Sequence, residues 1–475
     1  MIKGLEELLE NKIVEECGVF GIYNVKNASQ LTYYGLHALQ HRGQQGSGIA
    51  TFDGEKISRY RGEGLVIEIF NSENISQLKG NYAIGHVRMG SDKAPGIENI
   101  QPLLVRSHTG DFTVAHNGRI INYEQLRTQL EYEGSIFQTS SSSEIICHLI
   151  QKQTGTFTEK IKKAVEKLEG SFAFVIMTEK NIYAIRDKNG FSPLAIAKLD
   201  DGFVISSETV GFEMINAQII RDVKPGEIIK IGKKGLRSIM YAESTQSKMC
   251  AMEYIYLARP DSNIDGINVH SSRRKCGRVL AEEFPCENAD IVIGVPDSSL
   301  SAAMGYSDGS KLPYEIGLIK NRYIGRTFIQ PTQEEREKGV KMKLSPVSNT
   351  IKGKSIVLVD DSIVRGTTSK YIIKLLKEAG AKEVHVRIAS PAMIAPCFYG
   401  VDTSSLKDLI SARMSIEELR GYIGADSLAF LSNEGLKKGL GNNICSACFD
   451  REYPTYLFDL DKNFKKELKE LEKNK

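Results

Sequence analysis

The sequence predicts two domains of different class, an α+β sandwich followed by an α/β domain with a parallel sheet. Three observations carry this. A chain of 475 residues exceeds the size at which one hydrophobic core stops growing, so two domains are expected. From residue 18 to about 245 the pattern is mainly short β-rich segments, "GVFGIY", "YAIGHVR", "FTVAHNG", "SFAFVIM" and "GFVISSE". Helical patterns at "LTYYGLHALQHRG" and "SSSEIICHLIQKQ" supply the outer layers of a sandwich. From about 290 the rhythm becomes strand then helix: "DIVIGVP" leads to "SSLSAAMGYS", and "SIVLVDD" leads to "TTSKYIIKLLKEAG". The last of these ends on a glycine, as helix C-termini favour, and "AKEVHVRIAS" completes a βαβ unit. Between the halves, "MEYIYLARPDSNIDG" reads as an aromatic connector, and the terminal "DKNFKKELKELEKNK" as a charged helix or tail with a solvated face.

Composition narrows the function. With 62 basic and 59 acidic side chains the formal charge is only +3, too balanced for wholesale nucleic-acid binding, so any anion site must be local. No apolar run approaches the ~20 residues needed to span a bilayer. The first sixteen residues lack the apolar core of a secretory signal, and a cytoplasmic protein is expected. Eight cysteines are too sparse for a disulfide framework and read instead as catalytic, metal-binding or buried thiols.

In "IVLVDDSIVRGTTS" a buried strand ends on Asp360 and Asp361, at the sheet edge where α/β proteins place ligands. The following turn offers glycine, several hydroxyls and the unpaired N–H groups of a helix start, which together cradle a phosphate. Carboxylates repel phosphate but suit ribose hydroxyls, directly or through Mg²⁺, so the combination points to a sugar phosphate. A solvent-capped strand end before an ordinary helix would explain "DD" and "TTS" in isolation. "GVPDSS", Gly294 to Ser299, follows another buried strand and offers a second cradle, while the basic "KNRYIGRTFIQPTQEEREKGVKMK" from Lys320 suits a pyrophosphate leaving group.

These segments, with "RPDSNIDGINVHSSR", resemble the type I phosphoribosyltransferase domain of the glutamine phosphoribosylpyrophosphate amidotransferases, over almost all of residues 17 to 455. The resemblance implies that Asp360 and Asp361 hold the ribose hydroxyls and, with Ser298, Mg²⁺. It implies that Ser362, Arg365, Gly366, Thr367, Thr368 and Ser369 belong to the turn that binds the 5-phosphate, and that Lys320, Arg322 and Arg326 belong to a loop closing over pyrophosphate.

The second landmark is "IVEECGVFGIY". A cysteine after a short polar segment, once freed as residue one, has its own α-amine as general base; a small buried cysteine in a strand is the commoner alternative. "CGVFGIY", "HALQHRGQ", "GHVR" and "AHNG" together resemble an N-terminal-nucleophile glutamine amidotransferase domain of αββα architecture. By that resemblance Cys17 attacks the glutamine carboxamide, Asn117 and the Gly118 N–H form the oxyanion hole, and Arg88 binds the substrate α-carboxylate. His41 and His116 then have structural roles. The implied organisation is a propeptide over 1–16, an amidotransferase domain over 17–245, a phosphoribosyltransferase domain over 246–455 and a charged helix or tail over 456–475.

The amidotransferase half departs from the family pattern. Ser142 stands where an aspartate holds the glutamine α-amino group, Met89 replaces a tyrosine, Gln45 an acidic residue, and Ser192 an arginine. Losing one charge-assisted contact weakens glutamine capture by about 1.5–3 kcal/mol. Glu144 is the candidate replacement.

Cys445 and Cys448 in "CSAC" have the spacing of a metal or cluster edge. The resemblance adds Cys250 and Cys397 as ligands of a structural [4Fe-4S] cluster, with Zn²⁺ the competing assignment, and leaves Cys147, Cys276 and Cys286 as bystanders. It further implies glutamine and phosphoribosylpyrophosphate as substrates, 5-phosphoribosylamine as product, feedback inhibition by purine nucleotides, a sheltered ammonia passage near Tyr254, and a tetrameric homo-oligomer. The competing functions are an ammonia-dependent transferase with a decayed glutaminase half, and a non-catalytic nucleotide sensor.

Overall fold

The computed structural model describes residues 17–89, 96–108, 110–242, 245–321, 344–401, 403 and 405–473. The expected propeptide, and Arg322 and Arg326, lie outside the described residues.

The first half stacks two antiparallel sheets between helices. One sheet has seven strands in the order Gln218–Asp222, Ala195–Leu199, Gly202–Ser206, β1 (Gly18–Tyr23), β2 (Tyr82–Arg88), Gly46–Phe52 and Ile57–Glu63; the other has six and includes β3 (Phe112–Asn117). Alternation along β1 explains its continuous apolar run. Val19 and Tyr23 enter the core between the sheets, whereas Phe20 and Ile22 face helix α1 (Ala28–Ala38). On the far side of the second sheet, α2 (Glu144–Gln151) and the helix Phe157–Val165 close a third apolar layer through Ile145, Ile146, Leu149 and Ile161. The αββα sandwich expected from the sequence is the observed one.

The second half is built on four parallel strands, β4 (Ile291–Gly294), β5 (Ser355–Asp360), β6 (Glu383–Ile388) and β7 (Ser427–Phe430). Both faces are covered, as a parallel sheet requires: Val357 and Val359 of β5 enter one core, Ile356 and Leu358 the other. Helix α3 (Val269–Glu283) crosses α4 (Leu300–Ser310), and α5 (Thr367–Glu378) follows β5. The crossing of α3 and α4 is glycine-dependent, because a Cβ at Gly277 would sit 1.9 Å from the Ala302 carbonyl oxygen and one at Gly305 1.9 Å from that of Arg274.

The connector forms a π-helical turn over Glu253–Leu257, then a two-residue-strand hairpin, Asn263–Ile264 against Ile267–Asn268. The terminal segment forms helix α6 (Asp459–Lys473). It is not wholly solvated, because Phe464 packs against Phe398 and Tyr453, and Glu467 accepts the Leu406 N–H. Gly277→Val should destabilise the second half by about 1–3 kcal/mol through overpacking. Its thermal transition should fall well below that of the wild type and of the exposed control Gly421→Ala, whose site has open space.

Candidate active site

Two sites emerge, one at each sheet. In the first, the register that pairs Gly18 with Val87 carries Cys17 toward Arg88, and the Cys17 Sγ lies 3.7 Å from the Met89 carbonyl oxygen. Arg88 is half-buried. Burial pulls its guanidinium down, while Cys17, Glu63 and Glu98 pull it back. The second sheet meets this edge through His86, whose Nε2 lies 3.1 Å from the His116 carbonyl oxygen.

The next residue, Asn117, is buried at the end of β3. Neither its Oδ1 nor its Nδ2 has a hydrogen-bond partner among the described residues. A buried, unsatisfied amide is costly and calls for a ligand. Gly118 adopts φ +121°, and a Cβ there would meet the Ser171 carbonyl oxygen at 2.4 Å, so only glycine presents this N–H. Burial holds both His86 and His116 down to about 3, so each imidazole stays neutral near pH 7. His116 stacks on Phe174 and bonds Ser143 Oγ at 2.8 Å, a structural role as expected.

Ser142 precedes Ser143 and is half-buried. Glu144 does not replace the absent aspartate, because its carboxylate accepts the Gln138 and Thr139 N–H groups at 2.8 and 2.7 Å and meets His148 at 3.3 Å. Its charge is spent folding the loop. Ser192 is buried and its Oγ bonds Ser171; the Arg186 Nε donates to the Ser192 carbonyl, and the guanidinium pairs with Asp265 at 2.8 Å. The Arg186 guanidinium thus places a positive charge beside position 192.

Beneath Cys17 lies a network with no sequence-level warning. Arg42 is fully buried. Its Nε donates to the Cys17 carbonyl at 3.2 Å, and its other nitrogens donate to Glu208 at 2.7 Å and to Glu253 at 2.6 and 2.9 Å. Glu208 also meets His41 at 2.7 Å and accepts from the Arg259 N–H and Ser262 Oγ. Burial pushes the Glu208 carboxyl up, but His41, Arg42 and Ser262 together hold it well below the usual range. Arg42 was present in the "HRG" segment, yet nothing in sequence spacing identifies two buried acids so far along the chain as its partners.

In the second site, β5 delivers Asp360 and Asp361 to the sheet edge, both buried. Ser299 Oγ donates to Asp360 at 2.8 Å, Ser298 Oγ donates to Asp361, and Ser362 Oγ donates to the other Asp361 oxygen at 2.8 Å. "GVPDSS" and "VDDS" are thus one constellation, with Ser299 added to the residues expected. Two carboxylates and a hydroxyl make the oxygen donor set of a hard cation, and Mg²⁺ typically takes one or two carboxylates plus substrate phosphates. Gly366, at φ +75°, turns the chain into α5, which leaves Thr367, Thr368 and Ser369 in its first turn. Arg365 pairs with Asp408 at 3.0 Å, and exposed Lys320 reaches Asp297 at 3.1 Å. A small cavity behind the aspartates is lined by Tyr254, Arg273, Cys276, Ser298 and Asp361.

All eight cysteines are unbridged. Cys250, Cys397, Cys445 and Cys448 line one cavity whose other walls include Phe191, Met252, Met393, Tyr399, Val401 and Tyr453. Cys250 and Cys445 are partners in a short parallel bridge. Among the described residues no three His, Cys, Asp or Glu side chains converge as a single metal ion requires.

Residues 86–213 match the glutamine amidotransferase domain family, and residues 268–391 the phosphoribosyl transferase domain family. The fold and its two sites define an amidotransferase of the N-terminal-nucleophile class joined to a phosphoribosyltransferase. Amidophosphoribosyltransferase of Bacillus subtilis (strain 168) is 52% identical over 96% of this chain and 96% of its own, and that of Staphylococcus aureus (strain Mu50 / ATCC 700699) is 48% identical over 97% and 95%. The solved glutamine phosphoribosylpyrophosphate amidotransferase from B. subtilis complexed with ADP and GMP superposes with a TM-score of 0.89 at 52% identity, covering 93% of this chain and 98% of its own. A second solved structure, described as the allosteric regulatory enzyme of purine biosynthesis, gives 0.90 at 51% identity over 93% and 97%. The chain belongs to the amidophosphoribosyltransferase family.

Because Ser142 is neutral and Glu144 is committed, Ser142→Asp should lower the KM for glutamine by about tenfold or more, the worth of one charge-assisted contact, with little change in kcat. Steady-state glutamine hydrolysis measures it.

Proposed function

We infer that the protein is a glutamine-dependent amidophosphoribosyltransferase that converts phosphoribosylpyrophosphate to 5-phosphoribosylamine, the committed entry to purine nucleotide synthesis. The observation that carries this reading is the coexistence, in one chain, of Cys17 at the Arg88–Met89 strand end, a buried Asn117 amide without a partner among the described residues, and the Ser298–Ser299–Asp360–Asp361 constellation. Cleavage after Glu16 makes Cys17 residue one, and its α-amine accepts the thiol proton. The sulfur bonds to the glutamine carboxamide carbon, while Asn117 Nδ2 and the Gly118 N–H receive the charge developing on oxygen. The C–N bond then breaks, the amine returns the proton to the leaving nitrogen, and water later releases glutamate from the thioester. Arg88 and Ser142 orient the amino-acid end.

In the second half, Asp360 and Asp361 hold the ribose hydroxyls, and the turn from Ser362 through Arg365 and Gly366 to Thr367, Thr368 and Ser369 holds the 5-phosphate. Lys320, Arg322 and Arg326 receive the pyrophosphate. Ammonia attacks C1, the C1–O bond breaks, and pyrophosphate leaves with the electron pair. Mg²⁺ fits the oxygen set of Ser298, Asp360 and Asp361 and, when bound, neutralises pyrophosphate charge. We assign the domain limits 17–245 and 246–455 to this division, and by likeness to the family we propose inhibition by purine nucleotides and a tetrameric assembly; a cytoplasmic setting is proposed from the reduced thiols.

The four-cysteine cavity supports a [4Fe-4S] cluster of structural role. A single tetrahedral Zn²⁺, with Zn–S bonds of ~2.3 Å, draws its four thiolates to about 3.8 Å from one another. Four irons at four corners need a wider set. Burial pushes the Cys445 thiol up to about 12 and that of Cys448 well above its ordinary value; a cationic iron core is what would stabilise them as thiolates. Anaerobically purified protein should contain about four irons per chain by the ligand stoichiometry of such clusters, and Cys445→Ser should lose most of them. Stoichiometric zinc in place of iron would refute the cluster.

The deciding experiment is pyrophosphate release from phosphoribosylpyrophosphate and Mg²⁺ by N-terminally processed enzyme with glutamine or ammonia. Activity with both is expected, and Cys17→Ala should lose glutamine use while keeping ammonia use. Ammonia use alone in the wild type would make the decayed-glutaminase reading correct. Purine nucleotide binding without any pyrophosphate release would make the protein a sensor.

A further inference from the structure

The connector turn Glu253–Leu257 is gripped at both ends by buried arginines from different domains. On the amidotransferase side, Arg42 holds the Glu253 carboxylate at 2.6 and 2.9 Å and, with its remaining nitrogen, the backbone carbonyl of Cys17 at 3.2 Å. On the transferase side, Arg273 of α3 donates to the Tyr254 carbonyl at 2.6 Å and the Ala258 carbonyl at 2.8 Å. Arg273 lines the cavity that also contains Ser298 and Asp361. Burial pulls its guanidinium down, while Asp361, Glu208 and Glu253 pull it back, so it feels charge from both sites. The turn between the two arginines is π-helical, a conformation that is rare and concentrated at functional positions.

We propose that Glu253 and Arg273 are positioning residues that carry occupancy of the Asp361 site to the Cys17 nucleophile through the π-turn they clamp. Charge arriving beside Asp361 changes the pull on Arg273, which holds the carbonyls of the turn. The first residue of the turn fixes Arg42, and Arg42 fixes the Cys17 backbone. A second strap runs in parallel: Ser262 and the Arg259 N–H bind the Glu208 carboxylate that also holds Arg42. The proposal rests on the assignment of phosphoribosylpyrophosphate to the Asp361 site.

The test is the alkylation rate of Cys17 by iodoacetamide in processed, full-length enzyme, followed by peptide mass mapping, with and without phosphoribosylpyrophosphate and Mg²⁺. In the wild type the ligand should change the rate by about fivefold or more, the lower end of ordinary coupling strengths. In Glu253→Gln the change should shrink to under about twofold, with ammonia-dependent pyrophosphate release close to wild type. Glu253→Asp should restore part of the response. Glu253→Gln leaves Arg42 paired with Glu208, so the buried guanidinium keeps a counter-charge. Ser262→Ala, a milder change on the parallel strap, should weaken the response less. A full ligand response in folded Glu253→Gln overturns the proposal. So does a wild-type Cys17 indifferent to the ligand in enzyme that turns it over with ammonia, and that result leaves the activity assignment standing. Failure of the wild type to release pyrophosphate with ammonia overturns that assignment and the proposal with it.

Discussion

The buried Arg42 guanidinium touches the Cys17 backbone, a carboxylate of its own half of the chain and a carboxylate of the connector at once. Burying a guanidinium with two carboxylates carries a desolvation cost that only complete hydrogen bonding offsets, and removing one member of such a group costs roughly 3–5 kcal/mol. The remaining valences are therefore filled. His41, Ser262 and the Arg259 N–H complete Glu208. Because these partners come from both halves of the chain, the geometry at Cys17 cannot be satisfied by the sandwich alone. A second ion pair, Arg186 with Asp265 at the tip of the hairpin, fastens the same two bodies.

This dependence separates what was legible in the sequence from what was not. Strand and helix positions followed from local periodicity, so β1, β2, β3, β5 and α5 fall on the quoted segments. The paired aspartates were legible because a strand end followed by glycine and hydroxyls is a local signal. The buried ionic contacts join residues 42, 208, 253 and 262, separated by up to 220 positions along the chain, and no spacing rule reaches that far. Ser299 escaped for a different reason. It sits beside Ser298 in the same motif, and only the helix start decides that both hydroxyls face the aspartates.

The departures at the glutamine pocket acquire physical meaning in the fold. Ser192 carries no charge of its own, and Arg186 brings a guanidinium to its carbonyl and to Asp265. Ser142 has no comparable substitute in Glu144, whose carboxylate is fully used by the loop before α2. The two serines are thus different kinds of change. Ser192 keeps a guanidinium at its carbonyl, whereas the carboxylate two positions after Ser142 is committed to the loop before α2.

The four-cysteine cavity obeys the same logic as Arg42, with the charges reversed. Its thiols come from the connector, from the loop after β6 and from the segment after β7, and Phe191 of the sandwich forms one wall, stacked on Tyr399 at 4.2 Å. Four thiolates facing Phe, Met, Val and Tyr side chains have no comparable buried cation among the cavity's lining residues, so protein atoms alone favour the protonated thiols. A positively charged metal core of the kind proposed above would reverse that preference and, held by all four sulfurs, would tie the tail to the connector. The domain junction would then be braced on one side by carboxylates around a guanidinium and on the other by thiolates around metal. In both, the unfavourable burial of charge is offset only when segments distant in sequence are in register, which makes the junction specific as well as stable.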